Sequence, residues 1–316
     1  MKNIWKSAIM GLIVGDALGT PVQFESREEV RANPVCGMIG YRTFNMPEGT
    51  WTDDSSLTIA TLDSIARTND IDIWAIAKNF VRWLENGQFT PYGFAFDIGN
   101  GTMNAIRRYA REKNPFTCGG RTERDNGNGS IMRIMPAVLY CIAHDVPVDD
   151  AVDLIHDVSA LTHAHIRSKV ACGLYYFMAK AIVKGTGSLQ ERLQLGLATG
   201  FAFYEDREYA DNELAYYSRL RNIEAFKETH EDAIKSSGYV VNTLEAAVWG
   251  LITTDSYKDA MLKIVNLGGD TDSIAAVAGG LAGLFYGYDA IPAEWLAVIK
   301  RKGWMDAIIA KVEQAN

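Results

Sequence analysis

The chain has no apolar run long enough to span a bilayer, and its apolar N-terminal segment lacks the small-residue cleavage site of a signal peptide. A cytoplasmic, reducing setting is therefore expected. Cysteine is scarce: Cys36, Cys118, Cys141 and Cys172 show no CxxC spacing and no histidines placed to complete a zinc site. Buried free thiols are expected instead. Basic excess is absent too, and a formal charge of −8 argues against nucleic acid or an anionic membrane as the main partner. Repeats, low-complexity tracts and linkers are missing, and few stretches alternate with period two. With 48% apolar residues in a chain of 316, the expectation is an all-α fold, one domain over 1–316, present as a monomer or a weak homo-oligomer.

What is there is acidic and comes in two places. Gly268-Gly269-Asp270-Thr271-Asp272-Ser273 stands directly ahead of the apolar run Ile274-Ala275-Ala276-Val277-Ala278, which reads as a buried helix. One acceptor is enough to cap a helix, and two carboxylates exceed that need. Carboxylates that close repel unless a cation or a proton lies between them. The second cluster, Thr52-Asp53-Asp54-Ser55-Ser56, again precedes a helical apolar pattern at Leu57, Ile59, Ala60, Leu62 and Ile65. Alone it reads as an N-cap with an acidic first turn. Paired with Asp270 and Asp272, it reads as the other half of an oxygen-ligand site.

Helices are expected over 4–18, 73–85, 148–161, 166–184, 243–251, 257–267, 292–300 and 304–312, with an irregular loop over 21–47 and short helical pieces over 185–235. In the first of these, Gly11, Gly15 and Gly19 recur every four residues, which lets another helix approach closely. Asp16 sits on that same apolar helix, either as a hydrogen-bonded structural carboxylate or as a support for the site. The loop Asp125-Asn126-Gly127-Asn128-Gly129-Ser130 exposes backbone N–H groups, as phosphate cradles do, although its spacing is neither the P-loop nor the dinucleotide pattern. His163 ends a helix as a cap or as a donor to an anionic ligand. Tyr239, beside Gly238, is a core aromatic or a platform for a base.

Asp53, Asp54, Asp270 and Asp272, with the Thr52 and Ser273 hydroxyls, supply only hard oxygen ligands. That set selects Mg²⁺ or Mn²⁺, and its carboxylate count suits a pair of ions. Hydrolysis is the natural reaction class.

In order along the chain, Gly15-Asp16-Ala17-Leu18-Gly19, Trp51-Thr52-Asp53-Asp54-Ser55, Asp97-Ile98-Gly99-Asn100, Gly127-Asn128-Gly129-Ser130 with Met132-Arg133, Thr162-His163, Ser237-Gly238-Tyr239-Val240 and Gly268-Gly269-Asp270-Thr271-Asp272-Ser273 resemble the motifs of the ADP-ribosylglycohydrolase family, which includes the dinitrogenase reductase-activating glycohydrolases. The resemblance implies an orthogonal all-α fold with a binuclear Mg²⁺ or Mn²⁺ centre that removes ADP-ribose from a modified acceptor, a protein side chain foremost, by cleaving an N- or O-glycosidic bond. It implies Thr52, Asp53, Asp54, Asp270, Asp272 and Ser273 as metal ligands. Asp54 and Asp270 thereby share in catalysis with Asp97, the candidate proton carrier near the ribose and metals. Asn100, the loop Asn126 to Ser130 and His163 would hold ribose and diphosphate, and Tyr239 would stack on adenine. One departure stands out: where many relatives carry a Glu four residues after the last glycine of the first motif, this chain has Gln23, with Glu25 two residues on. An amide cannot act as a carboxylate base. An ADP-ribose-binding protein without turnover and a hydrolase of a small ADP-ribose conjugate are the alternatives.

Overall fold

A computed structural model describes residues 3–315. Among them there are α-helices and short 3-10 turns but no strand, only two isolated bridges, Gly120 to His163 and Gly127 to Tyr239. No helix among the described residues is long and apolar enough to cross a membrane.

At the centre the Ile4–Gly19 helix lies against the Thr271–Tyr286 helix. Both are apolar on nearly every face and buried over almost their whole length, which is the pattern of a helix surrounded by others. Their contact is made by backbone. A methyl group added at Gly11 would lie 2.3 Å from the Gly279 carbonyl oxygen, one at Gly15 2.2 Å from that of Ala275, and one at Gly283 2.1 Å from that of Ser7. The four-residue glycine spacing thus marks a seam along which two helices touch without side chains between them. Two buried tyrosines tie its carbonyls: Tyr257 donates to Gly11 O at 2.7 Å and Tyr175 to Val277 O at 2.9 Å.

Around this pair stand the Asp53–Thr68, Ile166–Lys184, Val240–Ile252 and Tyr257–Val265 helices, with Lys302–Ala315 closing one side. The expected loop over 21–47 contains a short helix, Arg27–Ala32, set by the reciprocal Ser26 and Glu29 cap; only Val30 of it is buried, so no apolar period announced it. Within 185–235 the structure has a full helix, Leu189–Glu205, packed on Ile166–Lys184, before the short pieces begin. Its buried face is the stripe Leu189, Leu193, Leu197, Phe201 and Tyr204, with Gly196 and Gly200 against Phe177 and Met178, and the exposed Leu195 on the outward side blurred the amphipathic pattern. Of the four free cysteines, Cys118, Cys141 and Cys172 are buried as expected and Cys36 is exposed.

Replacing Gly15 by Ala should cost about 1–3 kcal/mol through overpacking of the seam, although the substitution favours an isolated helix by about 1 kcal/mol. Urea unfolding checks this; a Gly15→Ala protein as stable as the parent would mean that the seam is not close-packed.

Candidate metal centre and its cavity

The seam carries Asp16 to the head of the Asp53–Thr68 helix. Asp16 is wholly buried and accepts from Thr52 N at 3.0 Å, Ser55 N at 3.0 Å and Thr52 Oγ1 at 3.0 Å, and from the Ser55 hydroxyl. It caps that helix from another element, so the acidic residues of the first turn are free of the task. Asp270 is likewise the N-cap residue of Thr271–Tyr286 without capping it through its side chain. Its carboxylate receives Gln23 Nε2 at 3.3 Å and the Asn128 amide instead. The bland reading of the two clusters as caps therefore fails for Asp53, Asp54 and Asp270. Two helix N-termini, each the positive end of a dipole, converge on these side chains.

Asp16, Asp54 and Asp272 hold carboxylate oxygens within 4.8 Å of one another. Thr52 Oγ1 lies 3.2 Å from Asp54 Oδ2 and 3.5 Å from Asp272 Oδ2, and Ser273 Oγ donates to Asp54 Oδ2 at 3.4 Å. Asp54 Oδ1 is buried without a hydrogen-bond partner. An orphaned carboxylate oxygen among other carboxylates and hydroxyls fits a hard divalent cation. The electrostatics agree. Burial first, then neighbouring carboxylates, pushes Asp53, Asp54 and Asp272 well above the usual carboxylate range. Burial raises Asp270 and Asp16 too, against the hydrogen bonds they accept. Asp97 is pushed up to about 6 by burial, although hydrogen bonds with Asp272 and Gln23 act to lower it. A second acidic group, Glu123, His165 and Glu213, is already joined by Arg167, which donates to Glu123 at 2.8 Å and to Glu213 at 2.9 Å.

Above the carboxylates opens a cavity of about 560 Å³. Asp53, Asp97, Asp270 and Ser273 line it together with Asn100, Gly127, Asn128, Gly129 and His163. Thr52, Asp54 and Asp272 are buried and do not line it. Asn126, Ser130 and Tyr239 do not line the cavity: Asn126 Oδ1 accepts from Ser168 at 3.1 Å, Ser130 meets Cys172 Sγ at 3.6 Å, and the Tyr239 hydroxyl accepts from Arg167 at 3.4 Å. Backbone bonds from Asn128 N to Gly238 O and from Val240 N to Asn126 O fasten the glycine loop to the turn that bears Tyr239. Glu25 points elsewhere, paired with Arg42. Gln23 lines the cavity, and its Oε1 is buried without a partner.

His163 is held by a polar chain and kept uncharged. Arg133 can only donate, and it gives an N–H to Thr162 Oγ1 at 2.7 Å. The Thr162 hydroxyl lies 2.9 Å from His163 Nδ1 and links the ring to Arg133. Burial, with Arg133 nearby, holds the imidazole neutral by lowering its pKa to about 3. The ring is enclosed by Gly101, Gly127 and Gly129, where any side chain would meet it.

Phe24, Thr102 and Ser236 also line the cavity and were not foreseen from sequence. Only Phe24 carried no signal at all, because its place depends on a left-handed backbone (φ 67°) that nothing in the local sequence demands.

A family model for ADP-ribosylglycohydrolase matches residues 3–316. The chain belongs to the ADP-ribosylglycohydrolase family. It is 32% identical to the ADP-ribosylarginine hydrolase Tri1 of Serratia proteamaculans over 92% of this chain and 74% of that protein. It is 31% identical to the ADP-ribosyl-[dinitrogen reductase] glycohydrolase of Rhodospirillum rubrum over 93% and 90% of the two chains. A solved ADP-ribosylglycohydrolase-related protein complex superposes with a TM-score of 0.80 at 28% identity, covering 99% of this chain and 98% of that one. The fold, the hydrolase class and the family expected from the motifs are thereby shown.

Raised carboxyl pKa values make the folded, cation-free protein bind more protons than the unfolded chain. Stability from Asp97 is full below about 4 and is lost as pH rises through about 6, and Asp53, Asp54 and Asp272 extend the loss upward. The melting temperature in chelator should therefore fall between pH 5 and 7.5, and Mg²⁺ or Mn²⁺ should raise it more at pH 7.5 than at pH 5. An equal cation shift at both values would count against a cation among these carboxylates.

Proposed function

We propose that this chain is a metal-dependent hydrolase that releases ADP-ribose from a modified protein side chain, arginine foremost. The observation that carries the reading is the convergence of Asp16, Asp53, Asp54, Asp97, Asp270 and Asp272 under one end of a cavity large enough for a dinucleotide. Similarity to two hydrolases named for ADP-ribosylarginine, at 32% and 33% identity, supports arginine as the acceptor.

Thr52, Asp53, Asp54, Asp270, Asp272 and Ser273 would hold a pair of Mg²⁺ or Mn²⁺ ions. When bound, such ions polarise substrate oxygens and water and offset charge that develops at the sugar. The chain's own residues do the remainder. Asn128 and Gln23 donate to Asp270 and keep both of its oxygens oriented. Asp97, half-buried at the cavity wall with a pKa of about 6, is placed to take a proton from water or to return one to the leaving group. The neutral imidazole of His163 offers an uncharged polar contact to a ribose hydroxyl or a phosphate oxygen. The backbone N–H groups of Gly127 and Gly129 and the amide of Asn100 surround the same body, and Tyr239 lies on the turn beyond for the base. The arrangement binds the ADP-ribosyl part deeply and leaves the acceptor at the mouth.

Gln23 in the cavity is the observation that favours binding without turnover, because an amide stands where the family resemblance implies a carboxylate. Asp97 is the group that can supply the chemistry in its stead. Asp270→Asn and Asp97→Asn should each lower release of ADP-ribose from ADP-ribosylarginine at least about a hundredfold, within the usual range for lost charge stabilisation or proton transfer. Calorimetry then separates the two: Asp270→Asn weakens cation binding and Asp97→Asn leaves it. Tight ADP-ribose binding by the parent with no hydrolysis of any modified acceptor would establish the binding protein instead.

A further inference from the structure

Five aromatic rings form a ledge that starts at the mouth of the cavity and leads away from it. Phe24 meets Phe44 with centroids 6.3 Å apart, Phe44 meets Phe96 at 5.8 Å, Phe96 meets Phe94 at 6.1 Å, and Phe94 meets Tyr92 at 6.2 Å. Phe24 is 66% exposed, Phe94 48% and Tyr92 39%, although rings of this size normally gain stability by burial. The inner end belongs to the site: Phe24 lines the cavity beside Gln23, and Phe96 immediately precedes Asp97, which lines it too.

This exposure is built in and is not looseness. Phe24 is held at φ 67°, a region unfavourable to an aromatic residue, by a bond from its N to Gly269 O at 2.7 Å and one from Gly269 N to Glu25 O at 2.8 Å. Gly269 adjoins Asp270, so the ring is anchored to the turn that carries a proposed metal ligand. Across the ledge, Thr43 N bonds Pro21 O at 2.9 Å, Thr43 Oγ1 bonds Gln23 O at 2.8 Å, and Arg42 pairs with Glu25. A strained backbone that holds a large ring in water does nothing for folding, and such strain persists where a surface serves binding.

We propose that this ledge docks the polypeptide around the modified side chain of a protein acceptor; this rests on the function proposed above. The cavity takes the ADP-ribosyl part, so whatever lies beyond the bond to be cut emerges past Phe24. One arginine side chain reaches along the first ring or two. Rings spaced about 6 Å apart carry the ledge further than that, where only neighbouring residues of a larger acceptor can meet them. The flat apolar faces suit backbone, aliphatic stems and guanidinium groups of a protein. A nucleic acid would need cations that an acidic chain of net charge −8 is poor in.

The experiment compares kcat/KM on free ADP-ribosylarginine with kcat/KM on a protein ADP-ribosylated on arginine, in the parent, Phe94→Ala and Phe94→Tyr. Phe94 lies outside the cavity. Phe94→Ala should lower the ratio of protein to free conjugate about tenfold, the usual loss for one aromatic anchor, and Phe94→Tyr, which keeps a ring, should restore it; melting temperatures confirm that both variants fold. An unchanged ratio, or equal behaviour of the two variants, overturns the ledge. A parent that cleaves only the free conjugate keeps the hydrolase and loses the ledge. A parent that cleaves neither probe loses the proposed function, and the docking role falls with it.

Discussion

The backbone contact between the Ile4–Gly19 and Thr271–Tyr286 helices is the constraint on which the site depends. It puts the heads of the later helix and of Asp53–Thr68 within reach of one carboxylate, Asp16, which comes from the earlier helix and bonds Thr52 and Ser55 at once. Had either helix presented ordinary side chains along the seam, the axes would stand further apart and Asp16 and Asp272 could not share a 4.8 Å cluster with Asp54. Gly19 is the last link, since a methyl group there would lie 2.5 Å from Asp272 backbone atoms. Packing and chemistry are thus set by the same residues.

Burying so many carboxylates is unfavourable, and the neighbourhood shows how it is met. A structural cluster would recruit guanidinium or ammonium groups, as Glu123 and Glu213 recruit Arg167. Here the donors to Asp16 and Asp270 are hydroxyls, amides and backbone N–H groups, all neutral. Arg133, fully buried near His163, gives its hydrogen bonds to the Gly129 and Val158 carbonyls and to Thr162. Two helix dipoles offset a part of the negative charge, each about half an elementary charge. The remainder is left for protons or for a cation, which is why the same carboxyls stand above their ordinary range.

Much of this was legible in sequence because it rests on residue types with few other reasons to be there. Paired carboxylates ahead of two buried helices, glycines at every fourth position and an alternating glycine loop each reported a physical need. The Asp16 carboxylate was legible as an anomaly on an apolar helix, but its role as a cap for another helix was not, since a cap supplied 36 residues away leaves no local pattern. The Leu189–Glu205 helix escaped because apolar residues such as the exposed Leu195 lie outside its buried stripe, and Arg27–Ala32 because only its cap defines it. Phe24 escaped for a different reason, and Asp97 was legible as a residue although its backbone conformation was not. Both adopt left-handed backbone conformations that only tertiary contacts impose.

Asp97 also bears on what Gln23 does. A carboxylate at position 23 would face Asp270 across 3.3 Å and add one more negative charge to a cluster already short of counter-charge. The amide donates instead, orienting Asp270 and favouring its ionised form without adding charge, and Asp97, hydrogen-bonded to the same Gln23, has its pKa raised to about 6 by burial. Proton transfer asks for a group that titrates; ligand orientation asks for one that does not. Gln23 and Asp97 divide these tasks between an amide and a carboxyl, and the left-handed backbone at Asp97, φ 54°, is one that Asp tolerates better than most residues, so the carboxyl can be held beside its acidic neighbours by the contacts around it.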